Sequence, residues 1–126
     1  MTQIDTARRI LGNGNLASVQ NQFSPAFRSS EGELRHCADL GIAFLPWSPL
    51  GGIGQAGDLG ARHAAFQEIA GARGVSPQQV TLAWMLALAP VVIPIPGASR
   101  PASITDSAQA ADLVLTQEEI GRLSAA

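Results

Sequence analysis

The chain of 126 residues contains no lysine and no tyrosine, and its eight basic residues are all arginine. Charged residues are scarce at 14% and aromatics at 5%, whereas hydrophobic residues reach 46%. That balance excludes a disordered tail, which needs low hydrophobicity and high charge. A net charge of −2 argues against a basic nucleic-acid surface. One cysteine, Cys37, has no internal disulfide partner, which fits a reducing, cytoplasmic setting. There is no metal-spaced Cys/His cluster, no Walker loop and no G-x-S-x-G nucleophile elbow. The longest apolar stretch, near Val91, is interrupted by Pro94 and Pro96, so no membrane span is expected. MTQIDTARRIL lacks the basic flank and long apolar run of a signal peptide. The expectation is one domain over residues 1–126.

What is present alternates between helical and strand-like periods. TQIDTARRIL sets Ile4, Ala7 and Leu11 on one helical face before GNGN breaks it. ASVQNQF at 17–23 reads as a short strand. Ser30 to Glu33 has the form of a capping box, Leu34, Cys37 and Ala38 follow as a buried stripe, and Gly41 stands where a C-cap belongs. IAFLPW at 42–47 and VVIPI at 91–95 are apolar runs of the kind buried on both faces of a parallel sheet. Between them lie a glycine-rich loop at 48–60, a helix through Phe66 and Ile69 ending near Gly74, and a second helix. That second helix has Ser76 as N-cap, Pro77 at its first position, Gln79 as capping glutamine, and a stripe of Val80, Ala83, Trp84 and Ala87. A helix from about Pro101 and a short one capped at Thr116–Glu119 complete the chain. Helices alternating with strands in this way make βα units and a parallel sheet.

Gly52-Ile-Gly54-Gln-Ala-Gly57 matches G-x-G-x-x-G in letters only. Ser48-Pro49-Leu50 separates it from the strand, and no acidic residue follows at the distance that binds ribose, so it is no dinucleotide fingerprint. A glycine-rich loop still lets backbone N–H groups approach a phosphate, or is a plain surface loop. Trp47, at the end of a strand, suits stacking on a flat ligand or a place in the core equally well. Trp84, on a helical stripe, reads as core. Gln20 is polar in a strand-like run and reads as a buried amide tied to backbone rather than to a ligand, with Gln22 competing on the same face. Arg100 precedes a helix, and a guanidinium at a helix N-terminus makes an anion site, although a solvated arginine is the commoner state. His36 and His63 read as exposed helix residues without a partner, and Cys37 as a small core residue.

Three segments together resemble the C-terminal part of an aldo-keto reductase: SVQNQFSPAFRSSEGELRHCADLGIAFLPWSPLGG, GVSPQQVTLAWMLALAPVVIPIPGASRPASI and ADLVLTQEEIGRL. The match runs from about Ala17 onward, and Met1 to Leu11 fits the preceding helix. It implies an α/β fold, a partial (β/α)8 TIM barrel of about strands six to eight with their helices, in which Val19, Phe44 and Val92 mark the strands. It also implies NADP(H), bound in an extended pose across the barrel mouth without a Rossmann fold. On that reading Gln20 holds the nicotinamide carboxamide and Trp47 stacks on its ring. Ser48, Leu50 and Gly51 contact the pyrophosphate, Ser99 and Arg100 grip the 2′-phosphate, and Asp106 and Ser107 lie near the adenine. Many members have arginine at the place of Ser103 and asparagine at that of Ser107, so the adenine end departs from the pattern.

The family reduces carbonyls to alcohols with an Asp, Tyr, Lys and His tetrad, and a chain without tyrosine or lysine cannot supply it. The resemblance therefore implies the cofactor-side fragment of such an enzyme, inactive alone, with a small carbonyl substrate only in the complete protein. The other reading is a non-catalytic half-barrel that self-associates, is complemented by an N-terminal half, or binds a partner chain or nucleotide. Its two open strand edges, with little charge to protect them, favour self-pairing.

Overall fold

A computed structural model describes residues 2–52 and 54–126; Met1, in the expected first helix, and Ile53, in the glycine-rich loop, lie outside the described residues. The order is α1 (Thr2–Leu11), β1 (Ser18–Gln22), α2 (Glu31–Leu40), β2 (Ala43–Trp47), α3 (Leu59–Arg62), α4 (Ala64–Arg73), α5 (Pro77–Leu88), α6 (Pro101–Gln109) and α7 (Gln117–Ala125). Strands β1 and β2 pair in parallel, with Gln20 opposite Leu45 and Gln22 opposite Trp47. Each is followed by helical chain, as parallel neighbours joined by a crossover require.

The segment 91–95 does not form the third regular strand expected of it. It runs parallel to β2 through a bridge between Phe44 and Val92. Phe44 N–H donates to Val91 O at 2.9 Å, Ile93 N–H to Phe44 O at 2.8 Å and Ile95 N–H to Pro46 O at 3.1 Å. The ladder is incomplete because Pro46 has no N–H to return to this segment. Residues 93 and 95 face β2, so Pro94 and Pro96 face the outer edge and leave it without their donors. Neither apolar run is buried on both faces. Phe44, Pro46 and Val92 are buried, while Trp47, Ile93 and Ile95 are exposed. Helices cover one face only.

That covered face holds the core. Helix α5 crosses it and is buried without a break from Gln79 to Met85, a wider surface than the expected stripe, although Ala87 at its end is exposed. Trp84 stacks on Phe23 (centroids 5.8 Å apart, planes 19° apart) and meets Phe66 edge-on at 5.5 Å. Phe23 in turn meets Phe44 edge-on at 6.5 Å, which joins helix to sheet. Arg28 lies over the Trp84 ring at 4.7 Å and donates to the carbonyls of Ser124 (2.7 Å) and Leu123 (3.1 Å), closing α7 onto the core. Burial holds the Arg28 guanidinium below its usual range.

Local signals set most helix ends. Gly41 and Gly74 adopt left-handed φ of 67° and 66°, which return the chain after α2 and α4 without a Cβ clash. Ser76 accepts from Gln79 N–H, and Thr116 makes a complete capping box with Glu119. The expected box at Ser30 does not form. Ser30 sits near φ −88°, ψ 10° and makes no side-chain cap bond; a turn in which Glu31 N–H donates to Arg28 O starts α2 instead. On α1 only Ile4 is buried, and Leu11 is half exposed. His36 is not without a partner, since its Nε2 lies 2.7 Å from Asp5 Oδ1 and ties α2 to α1. His63, at the α3–α4 junction, is half-buried edge-on to Phe66, and burial with nearby Arg28 and Arg62 lowers its pKa. Cys37 is fully buried, and burial raises its thiol pKa. No helix among the described residues is long and apolar enough to cross a membrane.

Candidate functional site

At the C-terminal ends of the strands the chain opens a groove of about 930 Å³. One wall is formed by Ser48, Pro49, Leu50, Gly52, Gly54, Ala56 and Gly57 of the loop after β2; the other is the segment Ile95 to Arg100 with Ala102, Ser103, Asp106 and Ser107 of α6, and Gln78 of α5 contributes between them. Parallel α/β sheets place their ligands at this end because the strands stop there and the loops diverge.

The first wall depends on unusual backbone. Ser48 has φ 50°, the one positive value on a non-glycine among the described residues, and Gly51 and Gly52 both have φ 99°. A left-handed non-glycine residue costs about 1–2 kcal/mol, so the turn directly after Trp47 is held by its surroundings. Gly51 N–H donates to Ser48 O at 3.0 Å and Gln55 N–H to Gly52 O at 3.1 Å, giving two successive turns. A side chain on Gly51 would also meet Gln55 Cβ at 3.2 Å, so glycine is required there. Gln78 Nε2 donates to Ala56 O and ties the end of this loop to the first turn of α5.

The second wall carries the positive charge. Arg100 occupies the N-cap of α6 in an extended conformation (φ −134°, ψ 145°), with Pro101 at the first helical position. Ser103 N–H donates to Arg100 O at 3.1 Å and proline has no N–H, so Ala102 presents the unpaired N–H of the first turn. A guanidinium beside a helix N-terminus suits an anion.

The groove continues through Ile95 onto the uncovered face of the sheet. Paired residues share a face in a parallel ladder, so Gln20, Gln22, Leu45 and Trp47 stand together with Ile93 and Ile95. Trp47 is 41% exposed and is therefore no core residue. Gln20 is exposed, which overturns its reading as a buried amide satisfied by backbone.

Of the nine residues singled out, Ser48, Leu50, Ser99, Arg100, Asp106 and Ser107 line the groove. Gly51 shapes its loop, and Gln20 and Trp47 lie on the adjoining sheet face. Asp106 is not free within the wall: Ser76 Oγ donates to its Oδ2 at 2.5 Å and Gln79 Nε2 to its Oδ1 at 3.2 Å. Sequence reasoning missed Gln78 altogether and cast Gln79 as a capping side chain. Two glutamines after a Ser-Pro N-cap look like ordinary helix starters, and nothing local marks their distant partners.

The family model described as "Aldo/keto reductase family" matches residues 2–126. The chain is 32% identical over 122 residues to pyridoxine 4-dehydrogenase of Escherichia coli, an alignment covering 97% of this chain and 40% of that protein. It is 33% identical over 114 residues to 6-dehydroglucose reductase of Novosphingobium aromaticivorans, covering 86% and 37%. Among solved structures it superposes on an aldo-keto reductase of Klebsiella pneumoniae in complex with NADPH at TM-score 0.81 and 28% identity, covering 98% of this chain and 44% of that one. An aldo/keto reductase of the same organism with NADP and acetate gives TM-score 0.75 at 29% identity, covering 86% and 38%. The chain thus spans about two fifths of the length of the relatives it matches. Its fold is α/β, part of a (β/α)8 barrel, with β1, β2 and the 91–95 segment as about strands six to eight and their helices outside. The chain belongs to the aldo/keto reductase family.

Proposed function

We propose that this chain is the cofactor-holding part of an NADP(H)-dependent oxidoreductase that interconverts carbonyls and alcohols, and that 1–126 acts as one unit. The observation that carries the reading is continuity. The exposed Trp47 face runs through Ile95 into a groove that ends at a guanidinium and a helix N-terminus. An aromatic plane at one end and an anion site at the other suit an extended dinucleotide bearing a 2′-phosphate. Gln20 would hold the carboxamide and Trp47 would stack on the nicotinamide. Ser48, Leu50 and Gly51 would meet the pyrophosphate, Ser99 and Arg100 the 2′-phosphate, and Asp106 and Ser107 would border the adenine.

When bound, NADPH supplies the hydride. This chain's own residues bind and orient: the strained turn at Ser48 leads the chain from Trp47 along the groove, and Trp47 shields one ring face from water. With no tyrosine and no lysine the chain supplies neither the phenol acid nor the lysine of the family's tetrad. Reduction therefore falls to the protein that also carries that acid. The buried free Cys37 supports a reducing, cytoplasmic setting.

One observation favours a second role. The uncovered sheet face exposes Ile93 by 53% beside Trp47 and Ile95, an apolar surface suited to a second copy or to an N-terminal half of a barrel.

Fluorescence titration of the purified chain with NADPH tests the first reading, with Trp47→Ala and Arg100→Ala alongside. Saturable binding, weakened in both variants, is expected. A folded wild-type chain that does not bind overturns it, and a stable dimer by analytical ultracentrifugation would then put the second role first.

A further inference from the structure

Helix α6 presents an energetic puzzle, because none of its nine residues is buried. Apolar contact does not hold it, although Ala110 just beyond its end is buried. Yet α6 is the wall that carries Ser103 and Ser107 and starts at Arg100.

What holds its middle is polar. Ser76 Oγ, the N-cap of α5, accepts from Gln79 N–H at 3.0 Å and donates to Asp106 Oδ2. Gln79 is 5% exposed, and its Nε2 lies 3.2 Å from each of three oxygens: Asp106 Oδ1, the Asp106 carbonyl and Gln109 Oε1. Both carboxylate oxygens of Asp106 are thus engaged by α5. The same hydroxyl that starts α5 fixes α6, so the start of α5 and the middle of α6 are set relative to each other. Gln78, the residue before Gln79, ties the opposite loop through Ala56. The first turn of α5 therefore grips both walls.

We infer that Asp106 is a positioning residue. Its carboxylate docks α6 on the capped start of α5 and so sets where Arg100, Ser103 and Ser107 stand across the groove from Ser48, Leu50 and Gly52. The functional part rests on the cofactor reading above; the docking part does not. Asp106 acts on the adenine end through α6 rather than by a hydrogen bond to the base.

The test is calorimetric titration of the whole chain with adenosine 2′,5′-bisphosphate and with nicotinamide mononucleotide, paired with hydrogen exchange of the 102–109 amides. The variants are Asp106→Ala, Asp106→Asn, Gln79→Leu, the Asp106→Ala/Gln79→Leu double variant and Ser76→Thr. Losing a hydrogen bond to a charged group corresponds to about tenfold or more. Asp106→Ala and Gln79→Leu are each expected to weaken the bisphosphate about tenfold, and the double variant hardly further, because both break one network. Nicotinamide mononucleotide binding stays unchanged, Ser76→Thr keeps the wild-type value, and α6 loses protection while the sheet keeps it. Asp106→Asn preserves shape and should fall between wild type and alanine, which covers an alanine variant that fails to fold. If Gln79→Leu leaves bisphosphate affinity intact while Asp106→Ala abolishes it, Asp106 is a direct ligand and the inference is overturned. Unchanged α6 protection in both single variants overturns it as well. A wild-type chain that binds neither probe removes the cofactor reading, and hydrogen exchange then decides the docking alone.

Discussion

The chain has two tryptophans, and the structure gives them opposite duties. Trp84 is 1% exposed, stacked on Phe23, edge-on to Phe66, covered by Arg28, and its Nε1 donates to Ser124 Oγ at 3.0 Å. Trp84→Phe keeps a ring over Phe23 but loses that hydrogen bond, about 1 kcal/mol, and leaves a void where the larger indole stood, another ~1–2 kcal/mol. The expected loss is therefore about 2–3 kcal/mol, a sizeable share of the ~5–15 kcal/mol of an ordinary domain. Trp47→Phe, at an exposed strand end, should change stability by no more than about 0.5 kcal/mol. Urea unfolding followed by circular dichroism measures both without using the tryptophans as probes. Fluorescence then separates the roles. The Trp84→Phe protein reports only Trp47 and should emit at longer wavelength, yield to acrylamide and be quenched by NADPH. The Trp47→Phe protein reports only Trp84 and should show none of these. If Trp47→Phe destabilises as strongly as Trp84→Phe, or keeps the cofactor quench, the assignment of Trp47 to the ligand face is wrong.

Three further outcomes follow from named contacts. Arg100→Ala should weaken NADPH about tenfold to a hundredfold, leave NADH unchanged, and matter less at high salt; equal losses for both cofactors would remove Arg100 from the 2′-phosphate. Thr116→Ala should destabilise by about 1 kcal/mol through loss of the formed capping box, whereas Ser30→Ala, which removes no cap bond, should stay within about 0.5 kcal/mol; thermal melts of the two decide this. Glu119 accepts from Arg73 Nε at 2.8 Å, from its second guanidinium nitrogen at 2.6 Å and from Thr116 N–H at 2.8 Å, which together lower its pKa to about 2. A carboxyl lowered on folding stabilises above its unfolded value of ~4.3 and loses that contribution as pH falls toward the folded one. The gap in urea midpoint between wild type and Glu119→Gln should therefore be full at neutral pH and shrink as the pH is lowered from about 4.5 to about 2. An undiminished gap at the acid end would place the effect elsewhere, and the exposure of the pair keeps it modest.

The features legible in sequence are those enforced by neighbours along the chain. Gly41 and Gly74 close helices because only glycine takes φ near +67° cheaply, and Ser76 and Thr116 open them through hydroxyls three residues from the amide they serve. Ser30 has the same letters and fails, because its backbone, at φ −88° and ψ 10°, lies away from the extended conformation in which an N-cap hydroxyl reaches the amide three residues on. Hydrophobicity in VVIPI locates the third parallel segment but misstates its burial. Apolar residues on the inner face of a barrel match a covering that lies beyond these three strands, so Ile93 and Ile95 stand exposed.

The site divides along the same line. Ser48, Leu50, Gly51, Ser99 and Arg100 could be marked by resemblance because each falls within a short motif, W-S-P-L-G-G or I-P-G-A-S-R-P, whereas Ser107 lies beyond these and departs from the family's asparagine. Gln78 and Gln79 also stand in a resembling segment, but their part in the groove could not be read from it, since their partners are Ala56, 22 residues before, and Asp106, 27 residues after. Periodicity cannot show such pairs; it reports only which side of a helix is apolar. For α6 even that signal is weak, because no residue of the helix is buried. A helix that forms a ligand wall without an apolar anchor needs a polar one. The place to seek it is the capped start of the neighbouring helix, where a hydroxyl already held by one amide still has a proton to donate. Ser76 meets that condition, and Asp106 is the acceptor it finds.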